Sequence, residues 1–273
     1  MLTARSSITF SMRLPQYTLR DHINQFVLDL KFKWIPFRGY YRFRSYRYMK
    51  WIDPEMGLLR FVVDPKRISL DVGANQGLFT HFLARYSPHV HAFEPNPLPF
   101  NVLKRVVDRN VTVYHMALTD RTSDVELVVP RGRKGWTNNG ASLDRKREGH
   151  FAIVKVPGSR IDDLDLKDIG FIKIDVEGHE NVVLKGAIAT LQRDRPNLFL
   201  ENEYVHVGAA ADDVFRLLRD LNYDGFFLGD GVVKHISHFS WEQYQIGQRR
   251  ESGRSERYVK NFIFIPKEGP SVG

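Results

Sequence analysis

A short glycine-containing turn carries the first candidate chemistry in the sequence. Asp71 stands two positions before Gly73, and Asn75 and Gly77 follow within the next four residues. Glycine lets the backbone turn tightly and approach a ligand closely, and a helix that starts after such a turn presents its N-terminus to that ligand. An acid at Asp71 would repel a pyrophosphate but would suit a ligand with an ammonium group and a sulfonium cation. The turn therefore favours S-adenosylmethionine over NAD, and we predict that these four residues bind the cofactor.

Two further acids follow at positions typical of a nucleotide site. Glu94 ends a second apolar run about 20 residues beyond the turn, where such a site places an acid on the ribose hydroxyls. Asp120 follows a third apolar run and could accept the amino protons of adenine, or could equally be a turn or cap residue. We predict that Glu94 binds the ribose, and we assign Asp120 to the adenine with the second role left open.

Candidate catalytic residues follow two later apolar runs. Asp175 and Glu177 come after the first run, His179 stands two residues further on, and Glu201 ends the second run. Methyl transfer from a sulfonium is an in-line displacement, so the protein must align the reacting atoms and ease the loss of the hydroxyl proton. One of the carboxylates, or His179, could accept that proton, with His206 as a lower-ranked candidate. Glu177 could instead complement the dipole of the helix that follows it.

The elements that position these residues alternate between strand and helix. From residue 66 onward, short β-branched runs are followed by segments with apolar residues at helical spacing. This alternation predicts an α/β fold with a doubly wound, mainly parallel sheet, which binds ligands beyond the carboxyl ends of its strands. The predicted strands are 68–72, 90–94, 111–115, 171–176, 198–201, 226–228 and 262–265, and the predicted helices are 77–86, 97–108, 179–193 and 212–221.

An insertion is predicted between the third and fourth strands of the sheet. Residues 125–129 and 153–156 have the pattern of a hairpin, and the segment between them is rich in Gly, Asn, Lys and Arg. Loops of this length in compact domains are usually lids or disordered segments. We predict a loop or lid near residues 131–150, in which Ser142 donates a hydrogen bond to the cofactor.

The N-terminal part of the chain has a different composition. Residues 31–50 contain seven Lys or Arg and eight aromatic residues but no acid, and the whole chain of 273 residues has a formal charge of +8. We predict a basic, aromatic-rich appendage over residues 1–65 and a second domain over residues 66–273. The appendage could pack on that domain, or it could bind an anionic membrane surface, a nucleic acid or an acidic substrate.

The motifs together resemble the FkbM-type S-adenosylmethionine-dependent methyltransferases. The matching segments run from residue 66 to residue 205 in the right order, and they include 71–77, 92–97, 117–120, 160–164 and 173–180. The resemblance implies a Rossmann-like class I methyltransferase fold and methylation of a hydroxyl, commonly on a sugar or a polyketide. The family more often has a small residue where this chain has His179.

A metal is a further expectation from resemblance. Asp175, Glu201 and Asn202 are similar to the magnesium site of catechol-type O-methyltransferases, where an acid on the fourth strand joins an acid and an amide on the fifth. A Mg²⁺ ion would lower the pKa of a bound hydroxyl. Carboxylates that face a sulfonium also need no metal to explain their presence.

Two other functions remain open from the sequence. An NAD-dependent oxidoreductase would use the same kind of sheet, but the G-x-G-x-x-G fingerprint is missing. A nucleic-acid methyltransferase or binding protein could use residues 31–50. The chain has no cysteine, which excludes thiolate catalysis and fits a reducing compartment, and it has no long apolar run. We therefore predict a cytoplasmic enzyme, peripheral to the membrane if residues 31–50 bind lipid.

Overall fold

A computed structural model gives the arrangement of most of the chain. It describes three long stretches, residues 54–132, 151–250 and 258–268. Shorter described pieces are residues 39, 43, 45–47, 135–136, 143 and 253–254.

The described strands form a large sheet, a smaller sheet and a short hairpin. They are β1 (Ile68–Val72), β2 (Val90–Phe93), β3 (Val111–Tyr114), β4 (Ala117–Leu118), β5 (Asp124–Gly132), β6 (Gly135–Trp136), β7 (Phe151–Ser159), β8 (Ile169–Ile174), β9 (Asn197–Glu201), β10 (Tyr223–Gly229), β11 (Val232–His235), β12 (Arg249–Arg250), β13 (Gly253–Arg254) and β14 (Asn261–Pro266). The large sheet has eight strands in the order β3-β2-β1-β8-β9-β14-β10-β11. The five strands from β3 to β9 are parallel, and β14 runs antiparallel to both β9 and β10.

Helices cover both faces of the large sheet. They are α1 (Leu59–Val62), α2 (Leu78–Tyr86), α3 (Pro97–Val106), α4 (Glu180–Lys185), α5 (Ile188–Asp194), α6 (Tyr204–Val207), α7 (Ala211–Asp220) and α8 (Trp241–Tyr244). Successive residues of a strand point to opposite faces. Accordingly, Phe171 packs with the helices α1 and α2, whereas Ile172 packs with α4, α5 and α7. The predicted doubly wound, Rossmann-like α/β fold is confirmed.

The single helix predicted over residues 179–193 is wrong, because the chain forms two helices there. The break falls at Gly186, where a Cβ atom would lie 2.0 Å from the carbonyl oxygen of Thr119. The backbone at Gly186 therefore packs directly against Thr119, the residue that follows β4, and only glycine fits there. The carboxylate of Asp162 accepts two backbone N–H groups in the first turn of α5, at 2.8 and 3.2 Å, and so caps the second helix from another part of the chain.

The predicted hairpin is present and belongs to the smaller sheet. Its strands β5 and β7 are antiparallel, and β4 and β6 extend the sheet on either side in the order β4-β7-β5-β6. The buried side of the hairpin has its own apolar cluster, in which Leu127 and Val156 are central and against which Leu143 packs. Most of the predicted lid near residues 131–150, including Ser142, lies outside the described residues.

The core of the domain begins before the predicted boundary at residue 65. Met56 and Leu59 are fully buried beside Phe171 and Phe199 of the large sheet, and the side chain of Asn197 donates to the carbonyl of Val62 at 2.8 Å. Residues 56–63 therefore pack as part of the main domain, while the division into an appendage and a domain stays a prediction. Across the described residues, the helices are too short or too polar to cross a bilayer.

Candidate active site

The carboxyl ends of four neighbouring strands lie level with one another. Val72 of β1 pairs with Phe93 of β2 on one side and with Ile174 of β8 on the other, and Ile174 pairs with Leu200 of β9. The residues that follow these strands are thus brought to one edge of the sheet, where parallel α/β sheets bind their ligands.

The glycine turn after β1 is packed tightly against the neighbouring strands. Gly73 has a φ of +75°, and a Cβ atom on it would lie 1.9 Å from the carbonyl oxygen of Asp175. The backbone N–H groups of Gly73 and Ala74 both donate to the carbonyl of Phe93, at 3.0 and 2.9 Å. Gly77, with a φ of 84°, is the N-cap residue that immediately precedes α2. Both glycines are needed here, because side chains rarely adopt these angles.

Lys173 forms a buried cationic centre beneath the turn. Its side chain is 3% exposed, and its ammonium lies 3.3 Å from Asp71 Oδ1 and 3.5 Å from Asp175 Oδ2. It also donates to the carbonyl of Gly73 at 2.8 Å. Burial by itself lowers the pKa of Lys173, but the two carboxylates outweigh burial and raise that pKa above its ordinary value. Lys173 was not among the predicted site residues. A charged residue inside an apolar strand nevertheless indicates that a residue of opposite charge is buried beside it.

Asp71 lies below the ligand-facing surface of the turn. Its side chain is fully buried, and it accepts a hydrogen bond from Thr80 Oγ1 at 2.5 Å in addition to its ion pair with Lys173. The predicted contact between Asp71 and the ammonium of a ligand is therefore not formed in this arrangement, because no part of the carboxylate reaches the surface. Asp175, with a side chain 31% exposed, is the acid that reaches the open side of the turn.

Glu94 links the turn to the end of β2. Its two carboxylate oxygens accept the backbone N–H groups of Asn75 and Asn96, each at 2.7 Å. Burial raises the pKa of Glu94 to about 7, although these hydrogen bonds and Lys173 act in the opposite direction. Each carboxylate oxygen can accept more than one hydrogen bond, so Glu94 can still bind hydroxyl groups from the 6% of its surface that stays exposed.

The residues after β4 and just before α4 form a buried pair, Thr119 and His179, and an exposed acid, Asp120. His179 is 6% exposed, and its Nε2 lies 3.2 Å from Thr119 Oγ1. His179 is therefore buried in contact with Thr119, and very little of its side chain is accessible to an acceptor molecule. Asp120 is exposed, with Oδ1 3.4 Å from Thr119 Oγ1.

The loop between β8 and α4 holds Glu177 in an unusual conformation. Glu177 has a φ of 56° and Gly178 a φ of 104°. Glu180 fixes this loop, because its Oε1 accepts the backbone N–H groups of both Val176 and Gly178 at 3.1 Å. The side chain of Glu177 is 29% exposed and lies 3.4 Å from Nε2 of His206.

The predicted magnesium ligands do not fit a metal site. Lys260 Nζ lies 2.5 Å from Glu201 Oε2, and Lys173 pairs with Asp175, so each acid already has a cation beside it. Asn202 is 1% exposed, and its amide donates to the carbonyl of Ala211. Burial and the nearby Asp175 raise the pKa of Glu201 well above its ordinary value, which makes it a poorer metal ligand. No group of three or more His, Asp or Glu residues suited to a metal is found within the described residues.

Little of the basic segment 31–50 is described. In the described part, Phe43 and Tyr46 are exposed, Ser45 is buried, and the guanidinium of Arg47 lies 5.9 Å from the centre of the Phe43 ring. The predicted contacts of this segment with lipid or nucleic acid fall mainly on residues outside the described part and stay predictions.

Comparison with known proteins finds methyltransferases among the similar sequences and structures. A hexuronic acid methyltransferase, AglP of Haloferax volcanii, is 30% identical over 155 residues, which are 55% of this chain and 60% of that protein. The chain therefore spans less than two thirds of that relative. Among solved structures, an FkbM methyltransferase from Methylobacillus flagellatus is 19% identical, with a TM-score of 0.48 over 78% of this chain and 46% of that chain. An O-methyltransferase from Bacillus cereus in complex with SAH is 12% identical, with a TM-score of 0.45 over 90% and 97% of the two chains.

The family assignment rests on the central part of the chain. The model of the methyltransferase FkbM domain matches residues 71–224, which contain the glycine turn, Glu94 and the acids after β8 and β9. This match includes more than half of the 273 residues. The chain therefore belongs to the FkbM methyltransferase family.

Proposed function

We propose that the protein is an S-adenosylmethionine-dependent O-methyltransferase that acts on a hydroxyl group of a glycan. The observation that carries the proposal is the close packing of the glycine turn against the end of β8, since a Cβ on Gly73 would lie 1.9 Å from the carbonyl oxygen of Asp175. The glycine turn, which we propose to bind the methyl donor, therefore lies beside the acids that could receive a proton. The name of the relative AglP supports a sugar as the acceptor.

The residues at this edge fit the cofactor that the family implies. The cofactor supplies an activated methyl group on a positively charged sulfur. Glu94 can accept hydrogen bonds from ribose hydroxyls, and the partly exposed Asp175 can attract the ammonium group. Asp71 contributes indirectly, because it neutralises Lys173 and so holds the turn in place.

The charge of the site favours a hydroxyl over a carboxylate as the methylated group. A hexuronic acid offers both groups, and its carboxylate is negative at neutral pH. Four acids stand after β8, at the end of β9 or just after β9. They are Asp175, Glu177, Glu201 and Glu203. The paired cations Lys173 and Lys260 offset only part of this negative charge, so a neutral hydroxyl is received at lower electrostatic cost than an anion.

Transfer from methyl-labelled S-adenosylmethionine tests the proposed function. The enzyme is incubated separately with neutral oligosaccharides, with oligosaccharides that contain hexuronic acid, and with RNA. We expect label in a saccharide, as a methyl ether that survives mild alkali. Label that alkali releases as methanol would identify an ester and contradict hydroxyl methylation. Label in RNA alone would favour the nucleic-acid methyltransferase.

Cofactor affinity should fall as the pH is lowered through about 7. Ribose hydroxyls donate to an ionised carboxylate, and the pKa of Glu94 in the free protein is raised to about 7. Protonation of Glu94 at lower pH removes the acceptor, so we expect the Kd for S-adenosylmethionine to rise about tenfold between about pH 8 and about pH 6. Calorimetric titration across that range measures the effect.

The variant Glu94→Gln provides the comparison for this pH dependence. Its side chain keeps nearly the same shape but cannot titrate, so it should bind more weakly at the higher pH and show a much flatter dependence. If the wild-type Kd were constant over the range, or if the variant kept the full dependence, Glu94 would not be the group that binds the ribose.

A further inference from the structure

We propose that Glu177 accepts the proton of the acceptor hydroxyl and that His206, Glu203 and Tyr258 position it for that task. The inference rests on the proposed O-methylation. Glu177 follows β8 at the same edge as the glycine turn, and its backbone is held at a φ of 56° by the loop that Glu180 caps. Non-glycine residues in this strained conformation cluster at functional sites.

A line of polar side chains connects Glu177 to the interior. His206 Nε2 lies between two carboxylates, 3.4 Å from Glu177 Oε2 and 3.6 Å from Glu203 Oε1. Tyr258 donates its hydroxyl proton to Glu203 Oε2 at 2.5 Å. Glu203 is almost fully buried, with 1% of its side chain exposed, so its position is fixed by these partners.

The surroundings of the imidazole indicate where its proton lies. Two carboxylates attract a hydrogen on Nε2, whereas Nδ1 is buried and has no hydrogen-bond partner among the described residues. A hydrogen on buried Nδ1 would remain unsatisfied, so the tautomer with hydrogen on Nε2 is favoured. His206 Nε2 then presents its hydrogen toward Glu177 Oε2 at 3.4 Å, which can orient that carboxylate.

The other acids and histidines of the site are less suited to the task. Asp175 lies beside the Lys173 ammonium, which stabilises its ionised form and so weakens it as a base. The carboxylate of Glu201 is only 15% exposed and is held by Lys260 Nζ at 2.5 Å. His179 is buried against Thr119, and Glu203 is buried beneath His206. Glu177 combines a partly exposed carboxylate with a neighbouring imidazole that can orient it.

The proposed step balances in atoms and charge. The acceptor oxygen forms a bond to the methyl carbon while the carbon–sulfur bond breaks and its electron pair goes to sulfur. The hydroxyl proton passes to the carboxylate of Glu177. The positive charge on sulfur and the negative charge on Glu177 therefore disappear together, and no further reactant is needed.

Steady-state kinetics of the full chain test the proposal, once wild-type enzyme has been shown to form a methyl ether on a saccharide. For Glu177→Gln we expect kcat to fall at least about 100-fold, with the Kd for S-adenosylmethionine within about twofold of wild type. For His206→Leu we expect kcat to fall about tenfold at unchanged cofactor affinity and acceptor KM, because Glu177 loses its orienting donor. His206→Gln should restore most of kcat, since its amide N–H can replace Nε2–H. Tyr258→Phe should lower kcat less than His206→Leu.

A second histidine–carboxylate pair is the matched control. His235 Nε2 lies 3.1 Å from Asp224 Oδ1 at the far edge of the large sheet, and His235→Leu should leave kcat and KM unchanged. Wild-type kcat in Glu177→Gln would overturn the role of Glu177. A loss in His206→Leu that His206→Gln does not restore, or that a drop in melting temperature accounts for, would overturn the positioning role. If wild type forms no methyl ether, the proposed function fails instead.

Discussion

Replacing Lys173 with methionine should lower the free energy of unfolding by about 3–5 kcal/mol, the usual result of removing one partner from a buried ion pair. Methionine has a similar length and fills the space, so the loss of charge is the main change. Asp71, fully buried and 3.3 Å from the ammonium, would be left as an uncompensated carboxylate. The carbonyl of Gly73 would also lose its donor. Denaturant unfolding measures the change, and cofactor affinity should fall with it because the turn loses its support.

The double variant Asp71→Asn/Lys173→Met separates charge from packing. Removing both charges should recover a large part of the lost stability, because a neutral pair of similar volume often costs little. Lys167→Met serves as the control, since Lys167 and Asp165 form an ion pair that is mostly exposed, and its cost should stay within about 0.5 kcal/mol. A loss below about 1 kcal/mol in Lys173→Met, or strict additivity in the double variant, would contradict the charge argument.

Replacing Gly73 with alanine should destabilise the protein by about 2–5 kcal/mol and abolish cofactor binding. Two effects add: the left-handed backbone at a φ of +75° costs about 1–2 kcal/mol with a Cβ atom, and overpacking costs about 1–3 kcal/mol more. The overpacking arises because the new methyl would lie 1.9 Å from the carbonyl oxygen of Asp175, which is backbone and cannot rotate away. Unfolding midpoints and calorimetric titration with S-adenosylmethionine measure the two outcomes.

Gly231 allows the two effects to be separated. It has a φ of +76°, almost the same as Gly73, but a Cβ atom on it would meet nothing within 4 Å. Gly231→Ala should therefore cost only the backbone share, about 1–2 kcal/mol, and leave cofactor binding intact. Equal losses in Gly73→Ala and Gly231→Ala would show that the close approach to Asp175 has no energetic consequence.

The sequence predicted the central strands well, and it failed where distant segments decide the local structure. Apolar runs at strand spacing identified β1, β2, β3, β8 and β9 to within one or two residues at most ends. The helix over 179–193 was predicted as continuous because its apolar spacing is regular. The helix breaks at Gly186, where the backbone packs against Thr119, a residue more than 60 positions earlier that local spacing does not reveal.

The candidate site shows the same division between local and distant information. The positions of Gly73, Gly77 and Glu94 could be predicted, because a strand followed by a turn and a helix brings such residues to the carboxyl end of the strand. Asp71 could not be placed, because its depth depends on Lys173, which lies on a strand that is adjacent in space but about 100 residues away along the chain. His206 ranked low as an isolated histidine, and only its neighbours Glu177 and Glu203 make it part of a connected group.

By itself the sequence determined the class of fold, the family and the kind of donor. These depend on short segments in which each residue sets its own local backbone conformation or its position at a strand end. A glycine that must adopt a positive φ, or an acid at a strand end, carries that information locally. The tertiary structure decided which acids are open to a ligand and which are neutralised. Charge pairing and burial depend on distance in space, so Lys173 beneath the turn and Lys260 beside Glu201 changed the roles of acids that look alike in the sequence.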